Sequence, residues 1–381
     1  MILARKLKLT VEPEQHVILM QTLEQYKYCM DKVLEYGFTN KSTSGQHLHD
    51  ATYRDLRKQY PELPSALVCV ARVKATEVLK SIKTKTKSKF DTKQPMSGKS
   101  PAIRYNSTCC AIGKDTFAIT TTQGRIKVGI VNNPFIKEDV EKFSSTCEVS
   151  FRRGNWYLTV FVETECKEQL PTKDILGIDR GCNNIAVCSN NQFFNSKQLK
   201  KVKGKYRHLR KKLQSKGTHS AKRLLKKLSG KENRFVKDCN HCISKKLVAL
   251  PFDTFILEDL NIHAKKGKGR KFNTLLSGWS WFQLEQFLTY KALLVGKKVE
   301  YIDPRYTSQK CSVCSYVYRG NRSKKHTSEF HCRSCGFKLH ADLNASRNIR
   351  NNYIASLGKS EISRLSSINH TLRPELETVL G

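Results

Sequence analysis

Acidic residues are scarce in this chain. Its 381 residues hold 33 Asp and Glu against 69 Lys and Arg, a formal net charge of +36. Such an excess repels itself unless a polyanion neutralises it, which makes nucleic acid the expected partner. Long apolar runs are absent as well. No stretch of about 18 apolar residues occurs, so no transmembrane helix is expected. No long amphipathic segment pairs a basic face with a broad Trp/Phe face, which argues against a membrane surface. The N-terminal MILARKLKLTVEPEQ is too briefly apolar for a secretory signal. A disulfide framework is missing too. Four of the 14 cysteines fall into a metal-type spacing and ten are scattered, the pattern expected in a reducing cytoplasm. There is no internal repeat.

What is present falls into two bands. Residues 2–11 alternate as a strand. Pro13 then opens a helix with Val17, Met20, Leu23, Tyr28 and Leu34 near one stripe. Two more helical segments are expected near 47–60 and 64–83, ended by the basic stretch 83–93. From 101 to 163 the runs FAIT, RIKVGIV and CEVSFRRGNWYLTVFVE read as strands, the last a hairpin with Gly154-Asn155 at its turn. Residues 1–170 are therefore expected to be a small β-barrel carrying a helical insert at about 13–90.

Beyond a boundary at 171–174, ILGID, IAVCS and Phe193-Phe194 read as three strands. Leu199, Val202, Tyr206, Leu209 and Leu213 then recur at helical spacing. Gly217 turns this helix into a second one, expected to run through Leu224, Leu225 and Leu228 past Ile243. A strand, TFILE, ends at Glu258. A helix is expected over 279–296, then the strand KVEYID, then a helix from about Asp342. This is the element order of an RNase H-like α/β core. It is assigned to 171–308 and 337–358, with a ribbon at 309–336 inserted before the last helix and a polar, mobile tail at 359–381.

The most specific motif is Cys311-x2-Cys314 and Cys332-x2-Cys335, with seventeen residues between the pairs. Four thiolates in such pairs suit one tetrahedral zinc, and with all four positions filled the role is structural. His326, His331 and His340 lie nearby but are not needed as ligands. Cys239 and Cys242 form a second CxxC within a predicted helix and have no second pair, so they read as packing residues.

Three acids sit where separate elements would converge. Asp179 ends the first strand of the core, Glu258 ends the fourth, and Asp342 opens the last helix. Nucleases that bridge two divalent ions need carboxylates from separate elements, and hard oxygen ligands suit magnesium or manganese. A lone strand-end acid is more often simply solvated. Three in this order, within GIDRG and LEDL, favour a site. Asp259 is expected on the opposite strand face.

Residues 197–237 hold 17 Lys and Arg and one acid, Glu232. That exceeds what solubility asks of a surface. Phosphate contact is expected along this face, represented by Lys201, Lys205, Arg210 and Lys212. Trp279 and Trp281 have the chemistry to stack on bases, but at helical spacing with Phe282 they read as core.

The stretches GIDRG (177–181), LEDLNI (257–262), DPRYTSQKCSVC (303–314) and CRSCGFKLHADLNASRNI (332–349), with NWYLTVFVE (155–163), resemble the TnpB family of transposon-encoded OrfB/zinc-ribbon proteins. The resemblance implies a RuvC-like nuclease domain with an inserted zinc ribbon. Asp179, Glu258 and Asp342 would be its metal-binding catalytic acids. It also implies a wedge barrel with a helical recognition insert, and cleavage of double-stranded DNA directed by a guide RNA from the transposon end. Arg305 and Gln309 would then lie near the scissile phosphate. Cys182 departs from the plain apolar residue more usual after GIDRG. Two other readings stay open at this point: a guided binder or regulator that does not cut, and a transposase that joins strands by itself.

Overall fold

The computed structural model describes residues 1–86, 94–98, 101–131, 143–260, 281–322 and 327–371; the side chains of 85–86, 143–145 and 359–371 are outside that description. The chain forms two compact units, Met1–Glu165 and Cys166–Gly381.

In the first unit, β1 (Ile2–Thr10) leads into three helices, α1 (Pro13–Thr39), α2 (Gly45–Gln59) and α3 (Ser65–Thr86). Pro13 suits the first turn of α1, where its fixed φ is helical and its missing N–H is no loss. Glu12 and Gln15 close a capping box over that turn. Six short strands follow: β2 (Ile103–Tyr105), β3 (Cys110–Ile112), β4 (Thr116–Thr121), β5 (Gly124–Ile130), β6 (Phe143–Arg152) and β7 (Asn155–Glu163). With β1 they make one antiparallel sheet in the order β2-β6-β7-β1-β5-β4-β3. The two end strands, β2 and β3, are not paired with each other among the described residues. Leu19, Tyr26 and Leu34 of α1, Leu67 and Leu79 of α3, and Phe117, Leu158 and Val160 of the strands bury together in one core.

The β6–β7 hairpin turns one residue earlier than expected. Arg152 pairs with Asn155, leaving Arg153 and Gly154 as the loop, with φ of 55° and 76°. Two positive φ values in a two-residue loop match the twist of the flanking strands.

The second unit is a mixed α/β fold. β8 (Ile175–Asp179), β9 (Asn184–Cys188) and β10 (Phe193–Asn195) come first. The helices α4 (Lys197–Lys216), α5 (His219–Leu228) and α6 (Lys231–Val248) follow, then β11 (Thr254–Glu258), α7 (Trp281–Leu294) and β12 (Lys298–Ile302). A two-stranded ribbon, β13 (Glu329–His331) and β14 (Lys338–His340), precedes α8 (Ala341–Thr371). The single helix expected from 217 past Ile243 is two. Gly230 sits at φ 73° between α5 and α6 and breaks the run. The tail expected after 358 continues as backbone helix to Thr371, its side chains lying outside the described residues.

The sheet order is β10-β9-β8-β11-β12. β8, β11 and β12 are parallel; β9 pairs antiparallel with β8, and β10 antiparallel with β9. Alternation along the strands sorts the two faces. Leu176, Ile178, Phe255 and Leu257 pack with Ile243 and Leu247 of α6 and Leu284 and Leu288 of α7. Ile175 and Ile256 pack with Ile349 of α8. Helix α8 lies close upon β8, because a Cβ at Gly177 would run into the backbone oxygen of Ser346 and the amide of Arg350.

Candidate active site

Strand register brings two of the three acids together. Thr254, Phe255 and Ile256 pair with Ile175, Leu176 and Gly177. Continued to the parallel strand ends, that register sets Glu258 level with Asp179. Both share the parity of Ile175 and Ile256, and so face α8, whose first turn carries Asp342. Glu258 and Asp342 are each only 9% exposed. Enclosure by protein pushes the Asp179 carboxyl well above the usual carboxylate range. The neighbouring charges of Glu258 and Asp342 push it further, and Arg322 and Arg180 oppose them.

Glu258 and Asp342 are held by groups the sequence pattern did not single out. The hydroxyl of Thr307 donates to Oε1 of Glu258 at 2.6 Å, and Thr307 is 2% exposed. Asn348 of α8 donates from Nδ2 to the carbonyls of Thr307 and Lys310, at 2.8 and 2.6 Å. Asn344, one turn earlier, donates to the Lys310 carbonyl at 2.8 Å and accepts from the Ser312 amide at 3.0 Å. Two buried asparagines on α8 thus fix the segment that leads from β12 into the ribbon. Asp342 accepts from Asn184 Nδ2 at 3.0 Å and pairs with Arg322 Nη2 at 3.4 Å. Its amide donates to His340 Nδ1 at 3.2 Å.

Arg180, the residue after Asp179, has a buried side chain. Its guanidinium donates through Nη2 to the backbone oxygen of Glu258 at 2.6 Å and pairs through Nη1 with Glu285. Glu285 also accepts from the Tyr301 hydroxyl at 3.1 Å. Arg180 therefore ties the end of β8 to the end of β11. Its place inside GIDRG is a sequence signal for it, as DPRYTSQ is for Thr307. Arg322 and Glu285 carry no such signal.

The four cysteines meet in the ribbon. Their sulfurs lie within 4.8 Å of one another, a group of ligating side chains tight enough for one ion. Cys314 and Cys332 are 3.5 Å apart, and Cys311 and Cys335 are 3.8 Å apart. The two halves repeat one backbone design. Cys311 donates its amide to the Tyr316 carbonyl and accepts from the Ser315 amide, as Cys332 does with Phe337 and Gly336. The residue after each second cysteine is left-handed, Ser315 at φ 62° and Gly336 at φ 72°. Although burial pushes its thiol up, the amides of Cys335 and Ser334 and the neighbouring thiols bring Cys332 down to about 7. Such a thiol is readily ionised for metal binding.

The remaining predicted positions divide. Lys201, Lys205 and Lys212 are exposed on α4. Arg210 forms an ion pair with Glu232 at 2.6 Å. Arg305 has a largely exposed side chain, pairs with Asp303 at 3.6 Å and donates its amide to the same carboxylate. Gln309 is half-buried, and its backbone is held by Tyr306 and Asn321. Cys242 is exposed, so it is not the packing residue expected, and Cys239 is half-buried. Phe282 is 63% exposed rather than core, because the buried side of α7 falls on Leu284, Leu288 and Ala292. Trp279 and His326 lie outside the described residues.

Comparison with known proteins adds the following. The OrfB_IS605 family, described as "Probable transposase", matches residues 157–268, and the Cas12f1-like TNB domain matches 281–349. The chain is 32% identical over 223 residues to CRISPR-associated endodeoxyribonuclease Cas12f1 of Sulfoacidibacillus thermotolerans, covering 52% of this chain and 50% of that one. It is 34% identical over 160 residues to a TnpB-like protein of Methanocaldococcus jannaschii, covering 40% of this chain and 56% of that one. The chain spans about half the length of these curated relatives. The cryo-EM structure of a Cas12f1–sgRNA–target DNA complex shares the fold, with a TM-score of 0.67 at 18% identity over 89% of this chain and 83% of that one.

Proposed function

From its similarity to TnpB-like and Cas12f1 proteins, we propose that this chain is an RNA-guided endonuclease that hydrolyses double-stranded DNA at Asp179, Glu258 and Asp342. One observation carries the reading. Strand register sets Asp179 level with Glu258, and Asp342 opens the helix packed on the same sheet face, so the charges of Glu258 and Asp342 add to burial in raising the Asp179 carboxyl. A protein has little structural use for such mutual repulsion, and a cation-binding site does. The core would be RuvC-like, and the first unit would serve as the wedge and recognition part.

The donor set fits hard divalent ions such as magnesium or manganese: three carboxylates, with amide and hydroxyl groups behind them. Bound there, two such ions would supply an activated water and neutralise charge on the leaving oxygen. The chain's own residues do the positioning. Thr307 fixes one oxygen of Glu258. Asn184 and Arg322 orient Asp342. Arg180 keeps the two strand ends in register, and its buried charge is balanced by Glu285.

The ribbon cysteines fit zinc. Four sulfurs at about 2.3 Å from one tetrahedral ion lie about 3.8 Å apart, close to the 3.5 and 3.8 Å separations of the two pairs. The ion would staple the segment that carries Arg322 and Thr307, and so support the acid site at a distance. Exposed Lys201, Lys205 and Lys212 would meet guide or target phosphates, while Arg210 serves the α4–α6 contact. Arg305 and Gln309 flank the Thr307 anchor, which supports a place for them beside the cut strand.

Sequencing the nucleic acid that co-purifies with the protein and its native flanking DNA tests the guided part. A discrete RNA with one variable end is expected, and DNA matching that end should be cut only with a divalent ion present. Absent or heterogeneous RNA would remove the guide from the reading. Asp179→Ala should lose cleavage and keep RNA binding; normal cutting by that variant would remove the acid site.

A further inference from the structure

Nucleic acid need not touch the nuclease unit only at the acids. We propose that the opposite end of the same sheet holds a second site, a pocket that takes one nucleotide of a polynucleotide strand. This rests on the nucleic-acid reading above and not on the cleavage assignment.

The pocket lies where β8 begins. It has a volume of about 340 Å³, and Arg347, Arg350, Phe252, Ser189, Asn190 and Asn351 contribute to its walls. That is within the size range of small-molecule sites. Asp179 ends β8 and Ile175 starts it. Four residues at about 3.3 Å each put the pocket roughly 13 Å from the acids. The Ser189 amide donates to the Gly177 carbonyl in the middle of β8, and Arg350 Nε donates to the Ile175 carbonyl at its start at 3.0 Å, so both pocket walls are tied to that strand.

The chemistry of the walls points to the ligand. Arg347 and Arg350 stand one turn apart on α8. Among the described residues, neither is ion-paired with a carboxylate. Each is held by one neutral acceptor: Arg347 Nη2 by Asn191 Oδ1 at 3.3 Å, and Arg350 Nε by the Ile175 carbonyl. Such bonds aim a guanidinium while leaving its other N–H groups to a phosphate, which arginine grips in a planar fork. Asn191 holds its place at φ 68°, in the left-handed region, so the β9–β10 turn presents its amide to Arg347. Phe252 supplies an aromatic wall. Ser189, Asn190 and Asn351 supply polar atoms of the kind that meet base edges and sugar hydroxyls. Two anchored guanidiniums beside a ring are the elements of single-strand recognition: phosphate on cations, base on an aromatic face. A simple anion would make no use of Phe252, and an apolar ligand would strand both charges.

The test uses the full chain, its Arg347→Ala/Arg350→Ala variant and its Phe252→Leu variant. Binding of fluorescently labelled single-stranded RNA and single-stranded DNA is followed by anisotropy across a potassium chloride series. For single strands the plot of log affinity against log salt loses about 0.7 in slope for each phosphate contact given up. The arginine variant should lose that much on at least one strand type, with affinity several-fold weaker at constant salt. Phe252→Leu should weaken the same strand type and leave the slope as it is. Loss on RNA alone assigns the pocket to the guide, loss on DNA alone to the target, and either supports it. Because Arg350 also holds Ile175, melting temperatures are compared first. If the double variant is destabilised, Arg347→Gln and Phe252→Leu carry the test. Unchanged slope and affinity in all variants, with normal wild-type binding, would overturn the pocket alone. A wild-type chain that binds neither strand would overturn the nucleic-acid reading itself.

Discussion

Thr307 donates its hydroxyl to Oε1 of Glu258 at 2.6 Å, from a position almost free of solvent. The hydroxyl has one proton, and the carboxylate oxygen at 2.6 Å is a nearer acceptor than the Pro304 carbonyl at 3.0 Å. A residue of the segment entering the ribbon therefore decides how a β11 acid points.

Thr307→Val removes that donor while keeping the shape. A hydrogen bond to a charged group contributes about 1.5–3 kcal/mol, and a group that orients a metal ligand changes affinity or activity roughly 10- to 100-fold. Cleavage by Thr307→Val should fall within that range with guide binding intact, and Thr307→Ser should restore most of it. Single-turnover cleavage rates decide this; a rate equal to wild type would show the hydroxyl to be idle.

The raised Asp179 carboxyl predicts a pH dependence for the metal-free protein. Its folded pKa lies above the unfolded one, so folding favours the protonated form. That stability is fully present below the unfolded carboxylate range and is lost as pH rises through the raised value. Melting temperature in EDTA should decline across this window, Asp179→Asn should flatten the decline, and magnesium should reverse it. An equal slope in wild type and Asp179→Asn would remove the coupling among the three acids.

The ribbon should depend on its metal. Cys311→Ser with Cys332→Ser is expected to lose one equivalent of zinc and to destabilise the second unit, because metal binding and folding are linked. Elemental analysis and thermal melting report both. Full zinc content in the double variant would refute the cluster.

The two left-handed positions in the ribbon predict opposite responses. A residue with a Cβ in that region costs about 1–2 kcal/mol relative to glycine. Ser315→Gly should therefore be neutral or stabilising. Gly336→Ala should destabilise by roughly that amount, even though the space around Gly336 is open. Differential melting of the two variants in zinc-replete buffer checks the pair; loss of stability in Ser315→Gly would contradict it.

Gly177 is pinned by its neighbour helix rather than by its own φ. A methyl group there meets backbone of α8 on both sides, so a side-chain rotation cannot make room. Gly177→Ala should cost about 1–3 kcal/mol, as overpacking does, and should weaken cleavage by shifting Asp342 relative to Asp179. Denaturant unfolding measures the first effect, and wild-type stability would show that α8 yields.

The sequence alone marked the order of the strands and singled out three acids and four cysteines as candidates for the chemistry. Asp179 and Glu258 end apolar runs whose alternation is local, and paired cysteines at CxxC spacing can share one ion whatever surrounds them. These are short-range facts, set by a period of two along a strand and by the reach of a knuckle. The hairpin turn at Arg153-Gly154 and the break at Gly230 escaped by a residue or a turn. The first depends on which φ values the cross-strand pairing imposes, the second on where tertiary packing lets the helix stop. Only the tertiary structure decided the partners. Thr307 reaches Glu258 across 49 residues, and Arg180 reaches Glu285 across 105. Arg210, one cation among 17, met the lone acid of its stretch, Glu232, because α4 packs on α6. Such pairings follow from strand register and helix crossing, which spacing along the chain does not encode.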